Sequence, residues 1–536
     1  MRYYLPACFF AIVFLFSRCA QIGLLSGGEP DRIAPVPLEF MPAQKALNFN
    51  DPIITITFNE HIQLQNAAAQ VRMMPKVDEL PELSAKGKTL IINLAKTKLQ
   101  PNTTYRIEFG TAIADLTEKN AVKNLEYVFS TGARIDTIQL SGKLKLAEDN
   151  TPATDVLVGL YEPASENDSI LYKSTPIYYS TTDNAGAYSF RNLPNRTFFV
   201  AAIADKNKNQ LYDGETERLA FYADKFKLEH DSVLDLSVFA ELPAKTFVMS
   251  NTAINYGKQL IKLNQKQPYI IRALDKRQSN AIFIENPKGS SDSIAVYYYG
   301  LKDTLALVLG EKESTLDTVY TRIPSYRKRA LPAPDVIVPA AAIQKTDAVV
   351  LRFSAWMDTS KAVKLFLRKA LDSTSKLRDG KWQNIHDFKL NATLLPGTAY
   401  TLTLPKGSFI EMQGNSCDSL NLNFTTKKEA DFGRLKLKLR FKTKQQYLIQ
   451  LVGEQNKLVQ EQKVYLTLSG SNLAELDFKG LQPGTYKVKI IYDTNENGKW
   501  DTGNFLKRQQ PEKVLVLQKQ IKVLADWDTE EELDEK

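Results

Sequence analysis

Two short stretches of the sequence carry oxygen-bearing side chains at alternate positions, which is the pattern of a cation-binding loop. An EF-hand-type calcium loop takes its oxygen ligands from positions 1, 3, 5, 7 and 9. In "DKNKNQLYD", here loop one, these positions are Asp205, Asn207, Asn209, the carbonyl of Leu211 and Asp213. In "DTNENGKWD", here loop two, they are Asp493, Asn495, Asn497, the carbonyl of Lys499 and Asp501.

Both loops depart from a complete calcium loop. Position 12 of loop two is Asn504 instead of a bidentate Glu, and Gln210 replaces the turn glycine in loop one, where Glu215 or Glu217 could close the shell. With two carboxylates per loop, the sequence predicts weak calcium binding of the extracellular type and no other cofactor. The alternative is a metal-free turn, because Asn and Asp side chains bond their own backbone and tolerate left-handed geometry.

Few other residues could carry chemistry. The histidines and cysteines are His61, His230, His386, Cys8, Cys19 and Cys417. They build no disulfide framework or Cys-based zinc site, and no G-x-S-x-G nucleophile motif occurs. The 69 basic and 61 acidic residues are scattered along the chain, so the net charge of +8 does not form a nucleic-acid footprint. We expect no nucleic-acid partner.

The N-terminus, "MRYYLPACFFAIVFLFSRC", predicts export. Arg2 precedes an apolar run from Leu5 to Phe16, which suits a signal-peptide core and is too short for a permanent membrane helix. The run ends at Cys19, as in a bacterial lipoprotein signal. We expect a signal peptide over residues 1–18, lipid on Cys19 and a flexible tether over 19–34. The alternative is an ordinary secretory signal, since Arg18 replaces the small residue usual before the cysteine.

The elements that must hold the two loops are β-strands. Alternating apolar stretches such as "ITITF" (54–58) and "TYRIEF" (104–109) are separated by turn residues at the spacing of a β-sandwich. A chain of 536 residues is too long for one core and predicts roughly three to five domains. The sequence therefore predicts an all-β fold of tandem β-sandwiches.

One internal repeat identifies a first kind of sandwich. "LQPNTTYRIEF" (99–109) matches "LLPGTAYTLTL" (394–404), and a closing strand follows each. Each Pro-x-Thr turn would start a strand whose tyrosine, Tyr105 or Tyr400, buries its ring and bonds its hydroxyl to nearby backbone. The pattern resembles the bacterial Ig-like domain of surface-layer and lipoprotein ectodomains.

A second repeat contains the two loops. "LPNRTFFVAAIAD" (193–205) aligns without gaps to "LQPGTYKVKIIYD" (481–493). Upstream of the first copy, "DNAGAYSFRNL" (183–193) predicts a turn followed by a strand whose Tyr188, Phe190 and Leu193 face the core. This run resembles a carboxypeptidase-regulatory-like, transthyretin-like sandwich. It is missing from the second copy, whose kinship rests on the final strand and loop. We infer that the loop occurs twice because its domain was duplicated.

We number the predicted sandwiches as five units. Units 1, 3 and 4 are Ig-like and cover 35–132, 245–325 and 336–428. Units 2 and 5 are transthyretin-like and cover 136–242 and 433–526, and 527–536 is expected to be an acidic tail. With "CAQIG" at the predicted processing site, this architecture resembles Bacteroidetes-type outer-membrane lipoproteins with Ig-like domains. The resemblance implies an outer-membrane location, on its periplasmic or its surface face.

A strand of unit 5 separates apolar from basic residues. In "GRLKLKLRFKTK" (433–444), Leu435, Leu437, Leu439 and Phe441 lie on one face, and six Arg and Lys residues lie on the other. Outside a cell, such a face could bind an anionic glycan or lipopolysaccharide. The alternative is that it is solvated or opposed by acidic neighbours.

Asp followed by Ser or Thr recurs more often than composition predicts. Composition gives roughly two Asp-[Ser/Thr]-[aliphatic/Thr] triplets, whereas the sequence has eight. Their hydroxyl residues are Thr137, Ser169, Ser232, Ser293, Thr304, Thr318, Ser373 and Ser419. The pattern resembles the O-glycosylation sequon of exported Bacteroidetes proteins. The alternative is that Asp-Ser/Thr leads from a turn into a strand.

Two functions remain open from the sequence. The favoured one is a non-catalytic, lipid-anchored stalk for structural or adhesive contacts, with its sandwiches stacked outward from the outer membrane and an envelope glycan or protein as partner. The alternative is a carbohydrate-processing or carbohydrate-binding protein with accessory sandwiches, because a glycosidase needs only two carboxylates. A helical or (β/α)8 segment within 245–335 would favour the enzyme.

Overall fold

The computed structural model describes residues 31–163, 169–243, 245–255, 257–265, 268–285, 288–290, 292–311, 314–325, 331–337, 349–361, 363–370, 372, 374–443, 445–466 and 472–535. The predicted signal peptide, Cys19, most of the tether and Ser373 lie outside these ranges. Strands dominate the described residues, whose two α-helices, α1 (Ala67–Gln70) and α2 (Ile170–Lys173), have four residues each. The predicted all-β fold of tandem sandwiches is confirmed.

Unit 1 is an antiparallel sandwich around the first Pro-x-Thr-x-Tyr repeat. Its strands are β1 (Pro37–Met41), β2 (Ile53–Phe58), β3 (Ile62–Leu64), β4 (Arg72–Met74), β5 (Glu82–Lys86), β6 (Thr89–Asn93), β7 (Thr104–Glu108), β8 (Ile113–Asp115) and β9 (Glu126–Ser130). One sheet has the order β1-β2-β6-β5, a second has β4-β7-β9, and β3 pairs with β8. The alternating apolar residues of these strands, such as Ile54, Ile56 and Ile107, form one core.

Units 3 and 4 share a two-sheet topology. The strands of unit 3 are β19 (Val248–Asn255), β20 (Lys258–Leu263), β21 (Pro268–Ala273), β22 (Ile282–Ile284), β23 (Lys288–Ser290), β24 (Ser293–Tyr298), β25 (Thr304–Glu311) and β26 (Ser314–Arg322). Those of unit 4 are β27 (Asp335–Ile337), β28 (Val350–Arg352), β29 (Leu365–Lys369), β30 (Lys376–Arg378), β31 (Gly380–Trp382), β32 (Asp387–Leu390), β33 (Ala399–Leu404) and β34 (Leu420–Thr425). The sheets are β19-β20-β24-β22 with β23-β21-β25-β26, and β27-β28-β32-β31 with β30-β29-β33-β34. The described part of 245–325 is thus a β-sandwich, although it lacks the tyrosine signature.

Units 2 and 5 have the same strand order, with the last two strands of unit 2 in the place of the last strand of unit 5. Unit 2 consists of β10 (Ile138–Leu146), β11 (Leu157–Tyr161), β12 (Tyr178–Thr181), β13 (Ala187–Leu193), β14 (Arg196–Ile203), β15 (Arg218–Phe221), β16 (Phe226–Leu228), β17 (Ser232–Val233) and β18 (Leu236–Ala240). Unit 5 consists of β35 (Gly433–Arg440), β36 (Gln446–Val452), β37 (Leu458–Tyr465), β38 (Leu473–Leu481), β39 (Gly484–Asp493), β40 (Val514–Val516), β41 (Ile521–Val523) and β42 (Asp528–Asp534).

The pairing of these strands supports the inferred duplication. β10 and β35 each pair antiparallel with the strand before the repeat, β13 or β38. Each also pairs in parallel with the last strand of its unit, which is β17–β18 or β42. β14 and β39 each pair with three equivalent strands, β11, β15 and β16 or β36, β40 and β41. The kinship therefore extends over the whole domain, beyond the strand and loop that the sequence aligns.

The predicted tyrosine turns are confirmed in units 1 and 4. The Tyr105 hydroxyl accepts the backbone N–H of Gln100 at 2.6 Å, and the Tyr400 hydroxyl accepts that of Leu395 at 2.8 Å. Both rings are buried. Tyr188, Phe190 and Leu193 of unit 2 also lie in the core, as predicted.

The last ten residues differ from the expected acidic tail. Asp528–Asp534 form β42, which pairs in parallel with the basic strand β35 along its whole length. Its carboxylates face the basic residues: Lys436 Nζ lies 3.1 Å from Glu530 Oε1, and Arg440 Nη2 lies 3.0 Å from Glu532 Oε1. Arg434 binds Asp477 of β38 through two bonds of 2.6 and 2.7 Å. The apolar face of β35 is buried as predicted, and the basic face is opposed by acidic neighbours.

Contacts also join units that are not neighbours in sequence. Phe505 of unit 5 belongs to an aromatic cluster of unit 2, and Thr502 Oγ1 donates to the carbonyl of Ala240 at 2.6 Å. A chain of sandwiches stacked outward in sequence order would bring only consecutive units into contact. In this chain, unit 5 contacts unit 2 although units 3 and 4 lie between them in sequence.

Candidate functional site: two equivalent Asx loops

Loop one is a network of side chain to backbone hydrogen bonds at the end of β14. The Asp205 carboxylate accepts the N–H of Asn209 at 3.1 Å and of Gln210 at 2.8 Å. The side-chain oxygens of Asn207 and Asn209 accept the N–H groups two residues further on, those of Asn209 and Leu211. Both side-chain amides donate to Asp213 Oδ2, at 2.5 and 3.0 Å.

Loop two repeats this network at the end of β39. Asp493, which is fully buried, accepts the N–H of Asn497 at 3.1 Å and of Gly498 at 2.8 Å. Asn495 and Asn497 accept the N–H groups of Asn497 and Lys499, at 3.0 Å each, and donate their amides to Asp501 Oδ2. Hydrogen bonds therefore join the first, third, fifth and ninth positions of each loop, and the third and fifth side chains contact the ninth directly.

The turn position is left-handed in both loops. Gln210 has φ 62°, and Gly498 has φ 77°. Glycine takes this conformation without steric cost, whereas a residue with a Cβ does not. Gln210 therefore takes, at a steric cost, the conformation that Gly498 takes freely.

A buried glutamate closes each loop: Glu217, one of the two residues that the sequence offers for closing loop one, and Glu512, which the sequence does not indicate. Glu217 Oε1 accepts the N–H of Lys206, and its Oε2 accepts that of Asp213, both at 3.0 Å. Glu512 Oε1 accepts the N–H of Thr494 at 2.8 Å and its hydroxyl at 3.0 Å, and Oε2 accepts the N–H of Asp501 at 3.0 Å. Glu217 was a candidate cation ligand, but its two oxygens bind backbone donors.

The network limits what the loops can do as cation sites. In the described part of the chain, no three His, Cys, Asp or Glu side chains are placed to share a metal ion. A cation at loop two would rest on Asp493, Asp501 and neutral oxygens, and it would have to displace the two amide donors from Asp501. The Lys499 ammonium also lies 3.5 Å from Asp501 Oδ1. This donor set fits at most the weak calcium binding that the sequence predicts.

The Asp-Ser/Thr triplets lie mostly where elements begin. Ser293 and Thr304 start β24 and β25, Ser232 starts β17, and Thr137 and Ser419 directly precede β10 and β34. Ser169 precedes α2, and Thr318 lies within β26. Thr137, Ser293, Thr304 and Ser419 are exposed, and Ser169, Ser232 and Thr318 are half-buried. These positions are accessible, and they also match the role of a turn that leads into a strand.

A buried histidine lies between units 3 and 4. His386 is 3% exposed, and its ring stacks on Tyr297 at 5.3 Å. Its Nε2 lies 3.8 Å from Asp387 Oδ1 and 3.9 Å from Glu285 Oε1. Burial lowers the pKa of His386, against the opposing effect of the two carboxylates. The neutral imidazole is therefore the form that this junction favours.

These features define a chain of tandem β-sandwiches in which units 2 and 5 each carry an Asx loop with an internal hydrogen-bond network. Residues 31–131, which cover unit 1, match the family described as bacterial Ig-like domain.

Solved structures to which this chain is similar include the major pilin subunit BcpA of Bacillus cereus, with 8% identity over 75% of this chain and 99% of that one and a TM-score of 0.17. The surface layer protein SbsC, domains 1–6, has 11% identity over 91% of this chain and 67% of that one, with a TM-score of 0.14. A comparison with curated proteins gives no match. No helix among the described residues is long and apolar enough to cross a membrane.

Proposed function

We propose that the chain is a non-catalytic, lipid-anchored protein of the outer membrane whose sandwiches make structural or adhesive contacts. This proposal is supported by the combination of a predicted export signal that ends at Cys19 with consecutive β-sandwiches, the first of which matches a bacterial Ig-like domain. Each strand of the described residues belongs to one of these sandwiches. The partners are the membrane, through the lipid, and a protein or glycan of the envelope.

The charge distribution bears on the type of partner. The basic face of β35 is paired with Glu475, Asp477 and the carboxylates of β42, so it is a poor candidate for binding an anionic glycan. A glycan partner would have to use another surface. The loops support the proposal as strand junctions, because their internal hydrogen bonds hold the ends of β14 and β39.

Membrane fractionation of the native host tests the anchor. Wild-type protein should pellet with outer membranes and partition into detergent, and Cys19→Ser should release it. Cys8→Ser is the matched control, because Cys8 lies inside the signal core and should leave anchoring unchanged. Anchoring of the Cys19→Ser variant as strong as that of wild type would contradict the lipoprotein. Release of sugars from envelope polysaccharide by the purified chain would contradict the non-catalytic role.

A further inference from the structure

The two copies of the duplicated domain differ by an insertion directly after the Asx loop. In loop one, Asp213 and the closing Glu217 are four residues apart, whereas in loop two Asp501 and the closing Glu512 are eleven residues apart. Since both pairs make the same hydrogen bond, the second copy carries seven additional residues at this point. We call residues 502–511, which contain this insertion, the docking arm.

The docking arm places one aromatic ring in unit 2. Phe505 has no solvent exposure, and its ring lies 5.3 Å from Phe221, 6.2 Å from Phe199 and 6.3 Å from Tyr172. Arg508 covers this group, with its guanidinium carbon 4.6 Å from the Phe505 ring and 5.0 Å from the Phe199 ring. An arginine over aromatic faces adds a cation–π attraction to the apolar burial.

Polar contacts fix the direction in which the arm enters. The backbone N–H of Phe505 donates to Glu241 Oε1 at 2.6 Å, and the Tyr212 hydroxyl donates to Glu241 Oε2 at 2.8 Å. Burial and this hydrogen bond raise the pKa of Tyr212 far above its ordinary value of 10, so the hydroxyl stays a donor. Gln510 Nε2 donates to the carbonyl of Phe221 at 2.9 Å.

One glycine allows the backbone of the arm to approach unit 2. A Cβ at Gly503 would lie 2.6 Å from Phe239 Cζ and 2.8 Å from the carbonyl oxygen of Gln509. Phe239 is itself fully buried in the same cluster as Phe221, so its ring could move only if that cluster repacked. A larger residue at position 503 would therefore separate the arm from the sheet.

The surface that receives the arm is unusual for a sandwich strand. β14 is apolar on both faces: Phe198, Val200 and Ala202 lie in the core of unit 2, and Phe199, Ala201 and Ile203 lie in the cluster that Phe505 completes. Antiparallel strands with one solvated face alternate apolar and polar residues, so a strand without a polar face indicates that both faces are covered. The equivalent strand β39 carries Lys487 and Lys489 on its outer face, and unit 5 has no such aromatic cluster among its described residues.

We propose that the docking arm holds unit 2 and unit 5 of the same chain together, and that this contact keeps units 2 to 5 in a closed arrangement that opens when the arm is removed. Interfaces between domains of one chain are commonly small, and the domains move relative to each other unless an apolar contact holds them. Phe505 and Arg508 supply that contact here. The occupant of the unit 2 surface is the arm of the same molecule, not that of a second copy.

Small-angle scattering and hydrogen exchange of the full chain test this proposal. Phe505→Ala removes the ring, and Gly503→Val adds volume without removing an apolar group. Each variant should increase the radius of gyration while mass stays monomeric, and should speed amide exchange in residues 196–203 and 218–221 at least tenfold. Leu506→Ala is the matched control, because Leu506 is 56% exposed beside Phe505.

Two results would contradict the proposal. A radius of gyration and an exchange pattern equal to wild type in both variants would show that the arm does not hold the units together. A wild-type mass of two chains that falls to one in Phe505→Ala would show that the arm binds a second copy, which also overturns the proposal. Circular dichroism separates opening from unfolding, and Gly503→Val retains a test if Phe505→Ala does not fold.

Discussion

Replacement of Glu512 by glutamine should open loop two locally. The carboxylate accepts three hydrogen bonds, two from Thr494 and one from the N–H of Asp501, at 2.8 to 3.0 Å, and the side chain is buried. An amide has the same shape, but its NH2 group must face one of these donors. Loss of a hydrogen bond to a charged group, together with an orphaned backbone donor, costs about 2–4 kcal/mol.

This cost should appear as faster amide exchange within the loop. Every 1.4 kcal/mol is tenfold, so the amides of residues 494–501 should exchange roughly 30 to 700 times faster in Glu512→Gln than in wild type. Mass spectrometry of the full chain under native conditions measures this difference. Glu217→Gln should have the same effect on 206–213, because Glu217 binds the equivalent backbone donors.

The matched control is Glu496→Gln, the same substitution at an exposed position of the same loop. It should leave exchange unchanged. Exchange rates of residues 494–501 in Glu512→Gln within threefold of wild type would refute the assignment of Glu512 as the residue that closes the loop. A change of equal size in Glu496→Gln would show that net charge, not hydrogen bonding, controls the loop.

Four further predictions concern other parts of the chain. The melting temperature of unit 5 should be higher in millimolar calcium than in the presence of a chelator, and Asp493→Ala should abolish this difference. Equal melting temperatures with and without calcium would support the metal-free turn alone. Deletion of residues 527–536 should destabilise unit 5 by on the order of 3 kcal/mol, because it removes the hydrogen-bonded ladder of β42. Glu532→Gln, which removes only an exposed ion pair, should destabilise it by less than about 1 kcal/mol. An unchanged melting temperature after the deletion would favour a tail. Because the pKa of His386 is lowered in the folded chain, the unfolded chain binds the proton first as the pH falls, so the stability contributed by this residue is complete above the ordinary pKa of 6.5 and decreases below it. His386→Phe keeps the neighbouring charges of Asp387, Glu285, Arg352 and Lys258, and it should reduce this loss of stability when the melting temperature is measured as a function of pH. Protein from the native host should exceed the lipidated polypeptide mass by O-glycans on triplet residues such as Thr137 and Ser293, and equality of the two masses would remove that prediction.

Local features of the fold could be predicted from the sequence because their partners are a few residues apart. The tyrosine turns join Tyr105 to Gln100 and Tyr400 to Leu395. The Asx networks of both loops lie within nine residues each, and their spacing alone indicates which side chains converge. Short-range hydrogen bonds of Asn and Asp depend on residue type and offset, which the sequence displays directly.

Features that depend on distant partners could not be predicted in the same way. Glu512 is separated from its loop by the insertion, so the offset that identifies Glu217 does not find it. "DTEEELD" has almost no apolar alternation, which favours a tail, yet it is the parallel neighbour of "RLKLKLR". The signal that could have found this pair is charge complementarity: four basic residues at alternate positions of one strand require acidic neighbours or solvent, and a strand of matching length and opposite charge stands at the chain end.

The contact between units 2 and 5 had a sequence signal of its own. "FFVAAI" leaves no polar face for a strand of a sandwich, whereas the aligned "YKVKII" places two lysines there. When two copies of a domain differ in this way, one copy has an apolar surface that is unfavourable to expose to solvent. Additional residues in the other copy are then candidates for covering that surface. Those residues are 502–511, and the N–H of Phe505 reaches a carboxylate 264 positions earlier in the chain. Differences between the copies of a repeat therefore carry information about long-range contacts that the repeat itself does not contain.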